Sequence, residues 1–164
     1  MLGAAGGVDL AAVQLGKAMG LTVIAGASSQ KKIDLSIANG ADSGIAYPRG
    51  PLDRNQQKEL SNQIKQAGGG GVDIVYDAVG GDYAEPAMRA LNWEGRFLVV
   101  GFPAGIPQIP LNLPLLKSCQ IVGVFWGAFT FAQPDANVAE LFKGQGCCRS
   151  PLGRPGYQSV RPAR

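Results

Sequence analysis

At 164 residues, with 46% hydrophobic and 16% charged side chains, the chain has the size and composition of one folded domain, not of a disordered or highly charged protein. Its formal charge of +3 comes from one end: residues 1–142 hold ten basic against twelve acidic side chains, while Lys143, Arg149, Arg154, Arg161 and Arg164 face no acid at all. The body therefore gives no electrostatic reason to bind nucleic acid, no run of about 18 apolar residues predicts a membrane span, and the lack of any histidine removes histidine-based metal sites and catalytic triads.

The elements follow an alternation of short β-rich and helical runs, which predicts a parallel sheet with crossover helices. Met1-Leu2 is the last step of a strand, and Gly7 to Met19 is a helix with Val8, Ala11, Ala12, Leu15 and Met19 on its apolar face. Thr22 to Ala27 is an apolar strand, Gln30 to Asn39 a helix ended by Asn39-Gly40, and Ser43 to Tyr47 a short strand. A polar helix over 53–67 carries Leu60, Ile64 and Ala67 at helical spacing and stops at the glycines 68–71. Val72 to Tyr76 is a buried strand followed by Asp77, Tyr83 to Leu91 a helix, and Gly95 to Val100 a strand running into Gly101. The proline-rich stretch 103–114 is neither a central strand nor a long helix. Cys119 to Trp126 is a last strand, and Ala136 to Phe142 begins a helix. From Lys143 onward Gly, Pro, Arg, Ser and Cys dominate without apolar period, so 143–164 is expected to be a basic, disordered tail on a domain of 1–142. Three cysteines do not make a disulfide framework, and the first residues carry no basic leader. A cytoplasmic compartment is expected, with a mitochondrial one left open.

Gly3-Ala4-Ala5-Gly6-Gly7-Val8-Asp9 lies between a strand end and a helix start, the context in which a glycine-rich turn cradles a dinucleotide. One glycine permits the tight turn, another lets the backbone approach a pyrophosphate, and the helix N-terminus offers free N–H groups. The spacing reads GxxGxxD, a weak form of the motif, and a turn without any ligand fits it as well. Asp9 suits the helix dipole but opposes a bound diphosphate. At roughly 5 Å and an effective dielectric of about 20 that repulsion is on the order of 3 kcal/mol before screening, so weakened affinity is expected, restored by Asp9→Gly. The second strand ends in Ala27-Ser28-Ser29 where an NAD-specific site places an acid, and Lys31 and Lys32 follow. Ser29 as a plain helix cap with solvated lysines behind it is the competing reading.

Further segments extend the pattern in order: Ala11-Ala12-Val13-Gln14-Leu15, 23–29, Gly40-Ala41-Asp42, 71–77 with Val79-Gly80-Gly81, 95–102 and 123–127. Together with 3–8 they make the chain resemble the quinone oxidoreductase branch of the medium-chain dehydrogenase/reductase family from about Gly3 to Phe142. The resemblance implies an α/β, doubly wound, Rossmann-type parallel sheet whose first strand is truncated here. It also implies a preceding GroES-like substrate domain and a continuation past Phe142 that the tail does not match. The implied cofactor is NADPH. Gly3, Ala4, Gly6, Gly7 and Val8 would hold its diphosphate, Ser28, Ser29 and Lys32 its 2′-phosphate, with Tyr47 near the adenosine. Val79, Gly80, Gly101, Phe102 and Phe125 would approach the nicotinamide and its ribose, although the two phenylalanines also read as core filling. The implied reaction is zinc-free hydride transfer to a quinone or activated enone, with no catalytic residue assigned in this chain and none to Asp77. The implied partner is a second copy, paired through the edge strand Ile121–Gly127. Three alternatives stand beside it: a truncated, non-catalytic chain that binds nucleotide weakly or not at all, an enoyl-thioester reductase of the same superfamily, and a methyltransferase, which would want an acid where Ser28-Ser29 stand.

Overall fold

A computed structural model describes residues 1–139. Five strands, β1 (Ile24–Ala27), β2 (Ser43–Ala46), β3 (Val72–Asp77), β4 (Leu91–Val99) and β5 (Gln120–Gly123), alternate with helices α1 (Gly7–Ala18), α2 (Gln30–Ala38), α3 (Arg54–Ala67), α4 (Ala84–Arg89), α5 (Asn112–Lys117) and α6 (Trp126–Ala132). Every pairing is parallel: β1 with β2 from Ile24↔Ser43 to Ala27↔Ala46, β3 with β4 as far as Asp77↔Val99, and β4 with β5 from Arg96↔Gln120. Leu2 sits between the two groups and bridges Gly26 on one side and Asp77 on the other. The order is therefore β2-β1-Leu2-β3-β4-β5, wound outward in both directions from the centre, which is the expected Rossmann-type topology with a one-residue first strand.

Few bonds close that seam. The Leu2 N–H donates to the Tyr76 carbonyl (2.9 Å), Gly26 N–H to the Met1 carbonyl (2.7 Å), and the Gly3 and Ala4 N–H groups share the Gly26 carbonyl (3.0 and 3.1 Å). The two flanks bury different amounts of side chain. Beside β3 and β4, Leu60 and Ile64 of α3, Met88 of α4 and Leu113 of α5 close over Phe97 and Leu91. The β1 side has the smaller set Ala4, Val13, Val23, Ala25 and Ala41, with Ala27 and Ile33 also buried there.

Apart from the short helix α5, which the sequence pattern does not predict, the elements agree with it in order and type, and differ in four further places. In α1 the buried residues are Val13 and Gly16, while Val8 (72% exposed), Leu15 and Met19 face outward. Packing chooses the adjacent face because Gly16 lets the helix close on β1: a Cβ there would stand 3.0 Å from Val23 Cγ2. The expected helix over 83–91 is a 3₁₀ turn (Gly81–Tyr83) followed by α4, and Leu91 already belongs to β4. Strand β4 starts four residues early because Leu91 pairs with Val72, after which the chain bulges before Arg96 rejoins Ile74, with Glu94 at φ +59°. At the far edge β5 ends at Gly123, and Trp126 opens α6 instead of closing the strand. Residues 134–139 are helical, as expected for the start of a helix there; the rest of that helix and the tail 143–164 lie outside the described residues.

Candidate functional site

The seam is also the switch point, where successive connections leave in opposite directions and a crevice opens beyond the strand ends. A cleft of about 670 Å³ lies there, and Gly3, Ser28, Lys32, Tyr47 and Val79 line it among the residues expected from sequence. Gly3 takes φ +81°, and a Cβ on it would come within 3.0 Å of Val79 Cγ2, so only glycine lets the turn pass beneath β3's end. Ala4 is fully buried: its N–H is spent on Gly26, and its carbonyl accepts from the Ser36 hydroxyl of α2 at 2.8 Å. Its contribution is to hold the turn. Gly6 precedes α1 with no side-chain cap, so the amides of Gly7, Val8 and Asp9 in the first turn have no intrahelical acceptor and can receive an anion.

Asp9 stands against that use. Its Oδ2 lies 2.5 Å from where a Cβ on Gly6 would be and 3.8 Å from the one on Gly3, so the carboxylate folds back over the glycine turn. Oδ1 is buried without a hydrogen-bond partner among the described residues. Burial raises the Asp9 pKa, partly offset by the Gly6 backbone hydrogen bond and the N-terminal ammonium.

At the end of β1, Ser29 occupies the N-cap of α2, yet its hydroxyl makes no cap bond, which leaves it free for a ligand. Lys32 follows one turn later and reaches the cleft. Tyr47 is buried (7% exposed), and its hydroxyl accepts from Gly3 N–H at 3.0 Å, tying the end of β2 to the glycine turn. Desolvation pushes its pKa up to about 12, so it stays a neutral phenol. Its ring meets that of Tyr83 at 4.9 Å, and the Tyr83 hydroxyl holds the following loop by donating to the carbonyls of Pro48 and Gly50.

On the other side of the seam, Asp77 Oδ1 accepts from the N–H groups of Val79 and Gly80, both at 2.9 Å. That carboxylate is 2% exposed and its pKa is raised by burial, so it shapes the turn and offers nothing to a reacting atom. Gly80 has φ +72°, and a Cβ would stand 2.6 Å from the Gly105 carbonyl oxygen and 3.1 Å from Phe102 Cα. The turn and the Gly101-Phe102 segment are thereby brought into direct contact, with Phe102 itself 46% exposed. Gly80, Gly101 and Phe102 adjoin the cleft without lining it, and Phe125 stands further apart: it is 79% exposed and precedes α6.

Sequence reasoning missed Arg49, Asp82 and Tyr83, which also line the cleft. The signal for Arg49 was available, as a basic residue two positions beyond Tyr47 at a strand's carboxyl end. Its Nε donates to the Ser28 hydroxyl at 3.1 Å, while Asp82 Oδ2 accepts from Leu52 N–H at 3.0 Å.

Comparison with known proteins places this arrangement. The family model described as zinc-binding dehydrogenase matches residues 7–143. The chain is 41% identical over 128 residues to quinone oxidoreductase-like protein 2 of Bos taurus, covering 77% of this chain and 35% of that protein. It is 36% identical over 115 residues to prostaglandin reductase-3 of Mus musculus, covering 70% and 28%. A mycobacterial protein solved with NADPH superimposes with a TM-score of 0.75 at 25% identity, over 92% of this chain and 45% of that one. The chain thus spans about a third of the length of these curated relatives.

Proposed function

Because the chain belongs to the zinc-binding dehydrogenase family, on its quinone oxidoreductase branch, we propose that it is the coenzyme-binding part of an NADPH-dependent oxidoreductase acting on quinones or activated enones. The observation that carries this reading is the convergence of Gly3, Val79, Ser28, Lys32 and Tyr47 on one cleft at the sheet's switch point. The bound nicotinamide supplies the hydride; the chain binds, orients and shields it. The α1 amides of Gly7 and Val8, beside the Gly3–Gly6 turn, receive the diphosphate. Ser28, Ser29 and Lys32 receive the 2′-phosphate through hydroxyl donors and an ammonium. The turn Val79-Gly80, held by Asp77, and the adjoining Gly101-Phe102 form the wall for the nicotinamide end. Phe125 joins that wall only if the segment after β5 moves towards it.

The residues present do not fit a zinc centre. The sequence has no histidine, and among the described residues no three of Cys, Asp and Glu come together as a metal site, so no step is assigned to a metal. On this reading residues 1–142 form the coenzyme-binding unit and the substrate-binding groups lie outside the chain. Among the described residues β5 is exposed along its length and its outer edge is unpaired, which offers backbone pairing to a second copy; light scattering that finds only monomer at every concentration removes this part.

Coenzyme titration tests the main reading. The chain should bind NADPH more tightly than NADH, and Lys32→Glu should reverse the order. Equal affinities in the parent chain, or unchanged discrimination in the variant, would remove the assignment.

A further inference from the structure

We infer that Arg49 determines coenzyme specificity, as a second cationic arm that meets the 2′-phosphate across the cleft mouth from Lys32. The inference rests on the NADPH reading and adds to it a residue from a different element. Ser28 follows β1, Lys32 lies in the first turn of α2, and Arg49 comes from the loop after β2; all three line the same cleft. The contact between Arg49 and Ser28 gives the cluster a direction. Because Arg49 Nε donates to Ser28 Oγ at 3.1 Å, the hydroxyl oxygen is already an acceptor and its own proton remains to be donated. No acceptor for that proton exists among the described residues, nor does any carboxylate form an ion pair with Arg49. Asp82, the acid that shares the cleft, accepts the Leu52 N–H through Oδ2 and makes no ion pair with Arg49 among the described residues. Ser28 and the terminal guanidinium nitrogens therefore form a set of donors with no internal partner. A planar fork beside a hydroxyl suits a tetrahedral dianion far better than it suits the ribose hydroxyls of NADH. The loop is fixed from behind by the Tyr83 hydroxyl on Pro48 and Gly50, so Arg49 starts from a held backbone.

The test is calorimetric titration of the 164-residue chain with NADPH, NADH and adenosine 2′,5′-bisphosphate, for the parent, Arg49→Gln, Arg49→Lys and Lys32→Glu. Arg49→Gln should weaken NADPH and the bisphosphate by about tenfold and leave NADH unchanged, as expected for loss of a charge-assisted bond. Arg49→Lys should recover part of the loss. If Arg49→Gln leaves NADPH binding unchanged, or weakens NADH equally, while Lys32→Glu still reverses the preference, the role of Arg49 is overturned and the coenzyme reading stands. If the parent shows no preference for NADPH, both are overturned.

Discussion

On one side of Leu2, the sheet is two short strands packed by alanines, valines and Ile33 of α2; on the other, three strands contribute Phe97 and Leu91 to a core completed by Met88 of α4 and by Leu60 and Ile64 of α3. The lighter flank supplies Ser28, Lys32, Tyr47 and Arg49, and the heavier one supplies Asp77, Val79 and Gly80. Stability and ligand chemistry are thus divided across the molecule. The heavy flank provides most of the buried apolar area and fixes one wall of the cleft. The light flank contributes the polar recognition groups and is tied to its neighbour by the bonds at Met1 to Ala4 and by the contacts of Tyr83 and Asp82 with Tyr47 and the loop after β2. A ligand lying across the switch point would therefore also join the two flanks, and binding should stabilise the light one more.

The largest test of this division is Phe97→Ala. It removes a fully buried ring from the heavy core and should cost about 3–5 kcal/mol in chemical denaturation, against about 2 kcal/mol for Val13→Ala on the light flank. Equal losses would mean that the flanks do not differ as described. Next comes Asp9→Gly, which removes the carboxylate folded over the glycine turn. Coenzyme affinity should rise, with a ceiling near the ~3 kcal/mol expected from the repulsion and less after screening. Its pH dependence has a definite sign. Asp9 has a raised pKa, so acidification neutralises it above the ordinary carboxylate range, and affinity for NAD⁺, which has no 2′-phosphate to titrate, should increase as pH falls through that window. Asp9→Gly should flatten the profile; a parent curve that is already flat contradicts the role given to Asp9. The smallest effect belongs to Tyr47→Phe, which deletes the hydroxyl on Gly3 N–H while the Gly26 carbonyl remains as acceptor. A loss of about 0.5–1.5 kcal/mol in stability is expected, with faster amide exchange at Gly3 as its local signature.

The parts of this molecule that were legible in the sequence are those set by backbone chemistry. The glycine turn, the order of strands and helices, and the Ser28-Ser29-Lys32 neighbourhood follow from residue types with narrow conformational or chemical roles. Contacts made across long sequence separations were not legible. The α1 face was misassigned because periodicity admits two adjacent apolar stripes, and the close approach at Gly16 selects between them. The early start of β4 depends on a bulge through Asn92 to Gly95 that interrupts the alternation. For Arg49 the sequence shows a basic residue near a strand's carboxyl end, but its partner Ser28, 21 residues earlier, becomes visible only once the loop after β2 lies against it. Phe125 was assigned from an order of segments, yet the chain turns into α6 beside it.

The most direct measurement is backbone amide chemical-shift mapping of the isotope-labelled chain during NADPH addition, in the parent and in Asp9→Gly. Saturable shifts should centre on Gly3, Gly6 to Val8, Ser28 to Lys32 and Val79-Gly80, spanning both flanks of the seam. Saturable shifts confined to residues away from the switch point, or no binding even without the Asp9 carboxylate, would contradict the account.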